Sequence, residues 1–133
     1  MGKDSQHIRI GHSPDPDDAF MFYALTTGVF DTPGREYEHV LLDIQTLNEK
    51  ALKQEYEISA VSIHSFPKII DNYALMNCGA SMGEGYGPML IANQKFTQDE
   101  AKSKTIAIPG LDTSAYLALR LAWGDVNVEV VPL

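Results

Sequence analysis

The sequence predicts an α/β protein built on parallel β-sheet. Three observations carry this expectation. Short apolar or β-branched runs alternate with helical patterns along the whole chain, which implies right-handed βαβ crossovers. No internal repeat, low-complexity tract or charge block interrupts that alternation. The 133 residues are 44% hydrophobic and 21% charged, enough for one good core.

The elements follow in order. Ile8 to Gly11 reads as a strand. Pro16 to Thr27 reads as a helix ended by Gly28. Its stretch Ala19 to Leu25 is apolar nearly all round, so it is expected to be buried on several sides. His39 to Asp43 is a second strand. Thr46 to Gln54 is a helix with Leu47, Ala51 and Leu52 on its apolar face and Thr46 and Glu49 at capping-box spacing. Ile58 to Ile63 is a β-branched strand, followed by a short helix over Ser65 to Asp71. Ala74 to Met76 and Pro88 to Ala92 are strand candidates around a glycine-rich loop, and Lys95 to Lys104 is a polar linker. Thr105 to Ile108 is a strand, Ser114 to Trp123 a helix and Val126 to Val131 a last strand. This final β-α-β unit is too short to bury its own sheet faces. It joins the first sheet, or another segment or a second subunit completes it.

Composition narrows function. Eighteen acids against 10 bases give a net charge of −8, which argues against nucleic-acid and anionic-membrane partners. No apolar run approaches the roughly 20 residues that span a bilayer. Met1 to Ile10 has no apolar signal core. Met1-Gly2 resembles a myristoylation start, but Gln6 stands where Ser or Thr is required. A lone cysteine, Cys78, excludes an internal disulfide and a cysteine-based zinc site. A soluble, cytoplasmic protein is expected.

In parallel sheets ligands sit beyond the carboxyl ends of strands, so the loops entering helices matter most. Ser13 to Asp18 marks a helix start, with Asp15 at N-cap, Pro16 at N1 and Asp17 and Asp18 in the first turn. Its carboxylates suit ligand hydroxyl or amine groups better than an anion. The spacing lacks the glycine and closing Glu of a calcium loop. Ser62 and His64 share a face if the third strand runs that far. His64 is the candidate acid or base, against the simpler reading that it caps a helix or faces solvent. His7, His12 and His39 show no metal-ligand spacing. The loop from Cys78 to Pro88 is neither a dinucleotide fingerprint nor a Walker loop. A flexible wall beside a cleft, or a crossover between lobes, fits it better. Pro109 to Ser114 turns into a helix capped by Asp112 or Thr113, where unpaired N–H groups and hydroxyls suit a carboxylate.

Taken together, the run Gly11 to Leu25, the run Asp43 to Leu52, Gly83 to Pro88 and Pro109 to Tyr116 resemble, in order, motifs of the 1,4-dihydroxy-6-naphthoate synthase family of the futalosine route to menaquinone. The resemblance covers nearly the whole chain. It implies a fold similar to the type II periplasmic binding proteins, with residues 1–94 as first lobe and 95–133 as the start of an incomplete second lobe. It also implies a lyase-type conversion of cyclic dehypoxanthinyl futalosine to 1,4-dihydroxy-6-naphthoate, without metal or organic cofactor. By matching position, Asn48, Ser62, Thr113, Ser114 and Ala115 would face the ligand cleft. Ser13 and Asp18, with Gly85 and Gly87, would belong to its walls. Asp15, Asp17 and Ala19 replace the Cys, Asn and Thr usual in the family opening, so that wall is more acidic. Family chains reach roughly the 250-residue scale of two lobes, and the family's proposed base lies in the part after Leu133. A truncated or partial form is therefore expected. The alternatives are a non-catalytic binder of a small carboxylate, or a homodimer that completes the short second unit.

Overall fold

The computed structural model describes residues 5–131. The Met1-Gly2 start, and the outer ends of the two expected lobes, lie outside the described residues. The first half holds β1 (Gln6–His12), α1 (Pro16–Thr26), β2 (Arg35–Leu41), α2 (Ile44–Leu52) and β3 (Ile58–Ser59). A 3-10 turn, Phe66–Lys68, follows. The second half holds α3 (Gln98–Lys102), β4 (Ile106–Ile108), α4 (Ser114–Trp123) and β5 (Val128–Val130).

Among the described residues there are two sheets, both parallel. One has the order β2-β1-β3, with Ile10 opposite His39 on one side and Ile58 on the other. The second pairs β4 with β5, Ile106 opposite Val128. The last β-α-β unit thus forms its own sheet instead of extending the first. The α/β class with parallel sheets is as the sequence predicts.

The first sheet buries side chains on both faces: Leu47, Ala51 and Tyr56 pack on the side of Gly11, whereas Ile8 and Ile10 alternate onto the side of His12, each large side chain contributing about 1.5–3 kcal/mol. Gly11 is needed at this contact. A Cβ there would stand 2.8 Å from both Leu47 and Tyr56. Side chains alternate along a strand, so His12 lies on the opposite face. There it stacks on Phe22 of α1, with ring centroids 4.4 Å apart. The two helices therefore cover opposite faces of one sheet. At the far edge, Glu57 receives three hydrogen bonds from Arg9.

Several boundaries differ from the sequence expectation. β2 runs over 35–41, and Asp43 is not its end but the N-cap of α2, accepting from the Thr46 N–H at 2.9 Å. Thr46 is therefore inside the helix. β3 stops at Ser59 because the chain turns, with the Ser62 carbonyl accepting from the N–H groups of Ser65 and Phe66. Ser62 and His64 consequently do not share a strand face. The expected helix over 65–71 is the three-residue 3-10 turn. Ala74 to Met76 and Pro88 to Ala92 form no strand, since no neighbouring strand among the described residues offers them a ladder. The supposed linker contains α3, nucleated by a capping box between Thr97 and Glu100. Finally, α1 has no buried residue, and Phe20 is 88% exposed. Only the sheet side of this apolar helix is covered.

Candidate functional site

β1 and β3 are parallel neighbours, so the loops that leave them emerge at one edge of the sheet. After β1, Pro16 opens α1 and the acids beside it fold back on the loop. The Ser13 N–H donates to Asp18 Oδ2 at 2.7 Å, and Ser13 Oγ donates to Asp15 Oδ2 at 2.7 Å. Asp15 is the N-cap by backbone conformation but makes no capping hydrogen bond. Asp17 accepts from Ser81 Oγ at 2.7 Å, which ties the glycine-rich loop to this helix start. Asp15 and Asp17 thus accept from the protein's own hydroxyls, and Asp18 from a backbone N–H. Gly85 and Gly87 stand in open space, where a Cβ would meet nothing within 4 Å. Gly85 has φ +75°. Both belong to the exposed segment of the loop.

After β3, a second cluster forms around Asn48, which is wholly buried. Its Nδ2 donates to Ser62 Oγ at 3.2 Å and to the Asp112 carbonyl at 3.1 Å. Its Oδ1 accepts from the Ser62 N–H at 2.8 Å. The Asp112 carbonyl also accepts from buried Ser65 Oγ at 3.1 Å, and the Asp112 N–H donates to Gln45 Oε1 at 3.1 Å. Lys68 pairs with the Asp112 carboxylate. His64 Nδ1 lies 3.2 Å from the Thr113 carbonyl. Gln45, Asn48, His64, Ser65 and Lys68 thus fasten one short loop of the second half to the first. The loop accepts this grip because Gly110 lacks a side chain. A Cβ there would lie 2.1 Å from Gln45 Oε1.

That loop opens α4. Buried Thr113 is its N-cap, accepting from the Tyr116 N–H at 3.3 Å and donating to the Gly110 carbonyl at 2.8 Å. Its hydroxyl is thereby occupied. The N–H groups of Ser114 and Ala115, in the first turn, have no acceptor among the described residues. Ser114 is exposed and Ala115 half-buried. A carbonyl only accepts, so the contact with Thr113 places the ring proton of neutral His64 on Nδ1 and leaves Nε2 as a free lone pair.

The structure therefore brings Asn48, Ser62, His64, Thr113, Ser114 and Ala115 to one junction. It places Ser13 and Asp18 at the same sheet edge, and leaves Gly85 and Gly87 on an exposed loop. Asn48 and Thr113 spend their polar groups on the protein, so they position the junction. Gln45, Ser65, Lys68 and Gly110 were not singled out by the sequence. The one signal that could have found Gln45 is the polar pattern Gln45, Asn48, Glu49 at helical spacing on one side of α2. Among the described residues no group of three or more His, Cys, Asp or Glu side chains is placed to hold a metal ion. Nor is any helix long and apolar enough to cross a membrane.

Comparison with known proteins bears on this junction. The family model described as menaquinone biosynthesis matches residues 8–132. A Thermus thermophilus protein named 1,4-dihydroxy-6-naphthoate synthase is 37% identical over 124 residues, 92% of this chain and 44% of the relative. A Streptomyces coelicolor protein of the same name is 33% identical over 119 residues, 89% of this chain and 41% of the relative. The crystal structure of protein AF1704 from Archaeoglobus fulgidus superposes with a TM-score of 0.87 at 46% identity, over 95% of this chain and 46% of that one. The chain spans less than half the length of each of these relatives.

Proposed function

The chain belongs to the menaquinone biosynthesis family, and on that premise we propose that it carries the ligand-holding part of a 1,4-dihydroxy-6-naphthoate synthase. The reaction would open cyclic dehypoxanthinyl futalosine to release 1,4-dihydroxy-6-naphthoate. In this reading the fold is that of a type II periplasmic binding protein, with residues 1–94 as first lobe and 95–133 as the start of the second. The rest of the second lobe comes from a further segment or from a second copy of the chain.

One observation carries the proposal. Five side chains from the first half hold the loop at Asp112 where the N–H groups of Ser114 and Ala115 stand open. Donors at a helix N-terminus suit a substrate carboxylate. Ser62, whose oxygen accepts from Asn48, still has its own hydroxyl proton to give. The loop from Ser13 to Asp18 forms one wall and takes the hydroxyl groups of the ligand. The loop carrying Gly85 and Gly87 forms another. Ring opening needs a base in a cleft poor in water. Within this chain, His64 Nε2 is the group with a free lone pair beside the donors. The family's own base would come from the remainder of the enzyme.

The test is to titrate the chain with cyclic dehypoxanthinyl futalosine by calorimetry and to assay the mixture for 1,4-dihydroxy-6-naphthoate. Binding with product formation supports the enzyme reading. Binding without product supports the second reading, a carboxylate-binding module, which the fully neutral donor set at Ser114 and Ala115 favours. Absence of binding contradicts both.

A further inference from the structure

Residues 74–95 run from the first half towards α3 without regular secondary structure, and every one of them is exposed. Among the described residues they form no backbone hydrogen bond, and their one side-chain bond is that of Ser81 to Asp17. Their composition does not suit such exposure. Only Glu84 and Lys95 are charged, whereas Leu75, Met82, Tyr86, Met89 and Ile91 are large and apolar. Met89 is 83% and Ile91 84% exposed. A stretch this long, apolar and unpaired marks an interaction surface.

Pro88 to Ala92, within this stretch, has strand composition but no ladder among the described residues. Beside it lies an open groove of about 530 Å³, lined by Leu90, Ala92, Phe96, Ala101 and Trp123 among others. The total surface points the same way. A compact monomer of 14.7 kDa exposes about 6,900 Å². This chain exposes 9805 Å². The surplus, about 2,900 Å², is of the size that obligate interfaces bury, where a core is in effect cut in two. The relatives carry more than half of their length outside the match, which covers 44%, 41% and 46% of them. A second copy of this chain would only repeat the half already present.

We propose, resting on the reading of this chain as part of a two-lobed enzyme, that residues 74–95 and the adjoining groove are the docking seam for a polypeptide corresponding to the rest of the family's length. That polypeptide adds a strand along Pro88 to Ala92 and takes the free N–H and C=O groups there into a ladder. Pro88 has no N–H and begins the strand, a place where proline is tolerated. Apolar side chains of the partner fill the groove over Leu90, Phe96 and Trp123.

The probe is the part of the Thermus thermophilus relative that lies outside its match to this chain. It is mixed with the full chain, and in a second preparation it is joined after Leu133, which removes any dependence on the probe folding alone. Hydrogen exchange across residues 89–92, read by mass spectrometry, should slow at least about a hundredfold when the probe is present. Ile91→Asp alters a side chain that touches little in the free chain. It should leave the melting temperature of the free chain unchanged and weaken the mixed complex at least about tenfold, because docking would bury a charge. Protection in either preparation supports the seam. Unchanged exchange in both would overturn it, as would slow exchange in the chain alone through self-association. Protection without binding of cyclic dehypoxanthinyl futalosine would uphold the seam while contradicting the catalytic reading.

Discussion

Asn48 donates from Nδ2 to the carbonyl of Asp112, 64 positions further along the chain, across 3.1 Å. The same amide holds Ser62 through both its oxygen and its nitrogen. One buried side chain on α2 thus sets the place of two loops, one from each half of the molecule. Neither loop has regular secondary structure to hold it there. Their placement rests on side-chain hydrogen bonds, and a buried group stripped of its partner costs more than an ordinary bond contributes.

Replacing that amide should therefore be costly. Asn48→Ala leaves the Ser62 N–H without an acceptor and takes a donor from the Asp112 carbonyl. A loss of about 1–3 kcal/mol is expected. It is read as a lower urea midpoint with an unchanged slope. A loss near zero would mean that the amide is not engaged.

Gly110→Ala is expected to destabilise through Gln45, whose Oε1 would stand 2.1 Å from the new Cβ. The direct cost is about 1–3 kcal/mol, as for overpacking in general. The side chain of Gln45 is flexible, so the cost should shrink in a Gln45→Ala background. A double-mutant cycle measures this, and simple additivity would show that the two residues do not meet.

Ser114→Pro separates ligand binding from folding. Proline is well tolerated at the first helical position, and Thr113 before it is already extended, with φ −86° and ψ 152°. The substitution removes one open N–H. Affinity for cyclic dehypoxanthinyl futalosine should fall by about tenfold, as for loss of one hydrogen bond. The circular dichroism spectrum should stay unchanged. Undiminished affinity would remove this N–H from the site.

Arg9 holds the Glu57 carboxyl well below its ordinary 4.5, at about 2, chiefly through the side-chain hydrogen bond and then through the Arg9 N–H. A carboxylate depressed in the folded state contributes stability above its unfolded pKa. That contribution is lost as pH falls through about 2. A ¹³C titration of Glu57 should show the low midpoint, and Arg9→Gln should return it towards the ordinary value. The pair is half exposed, so added salt should weaken the effect.

Features written in a few adjacent residues were legible in the sequence. Pro16 after Asp15 marks the start of α1, and Thr113 with a hydroxyl before an apolar run marks α4. Strand lengths were not. Ile58 to Ile63 has three β-branched residues, Ile58, Val61 and Ile63, yet only two residues pair, because the turn at Ser62 captures the chain. Pro88 to Ala92 has strand composition but no neighbour among the described residues to complete a ladder. Of the junction, Ser62, His64 and Thr113 were visible as strand-end groups. Asn48 came from the family resemblance, Ser65 and Gly110 were read only as parts of strand-end loops, and Gln45 escaped notice. Their partners lie about 47–67 positions away, and local patterning holds no record of such contacts.

The gathering of the loops around Asp112 can be observed directly by NMR, as scalar coupling through the hydrogen bond from the Asn48 side-chain amide to the Asp112 carbonyl carbon. The coupling should be present, with slow exchange of the Asn48 amide protons against solvent. Its absence, together with exchange as fast as that of the exposed Gln94 side chain, would contradict a shared site between the two halves of this chain.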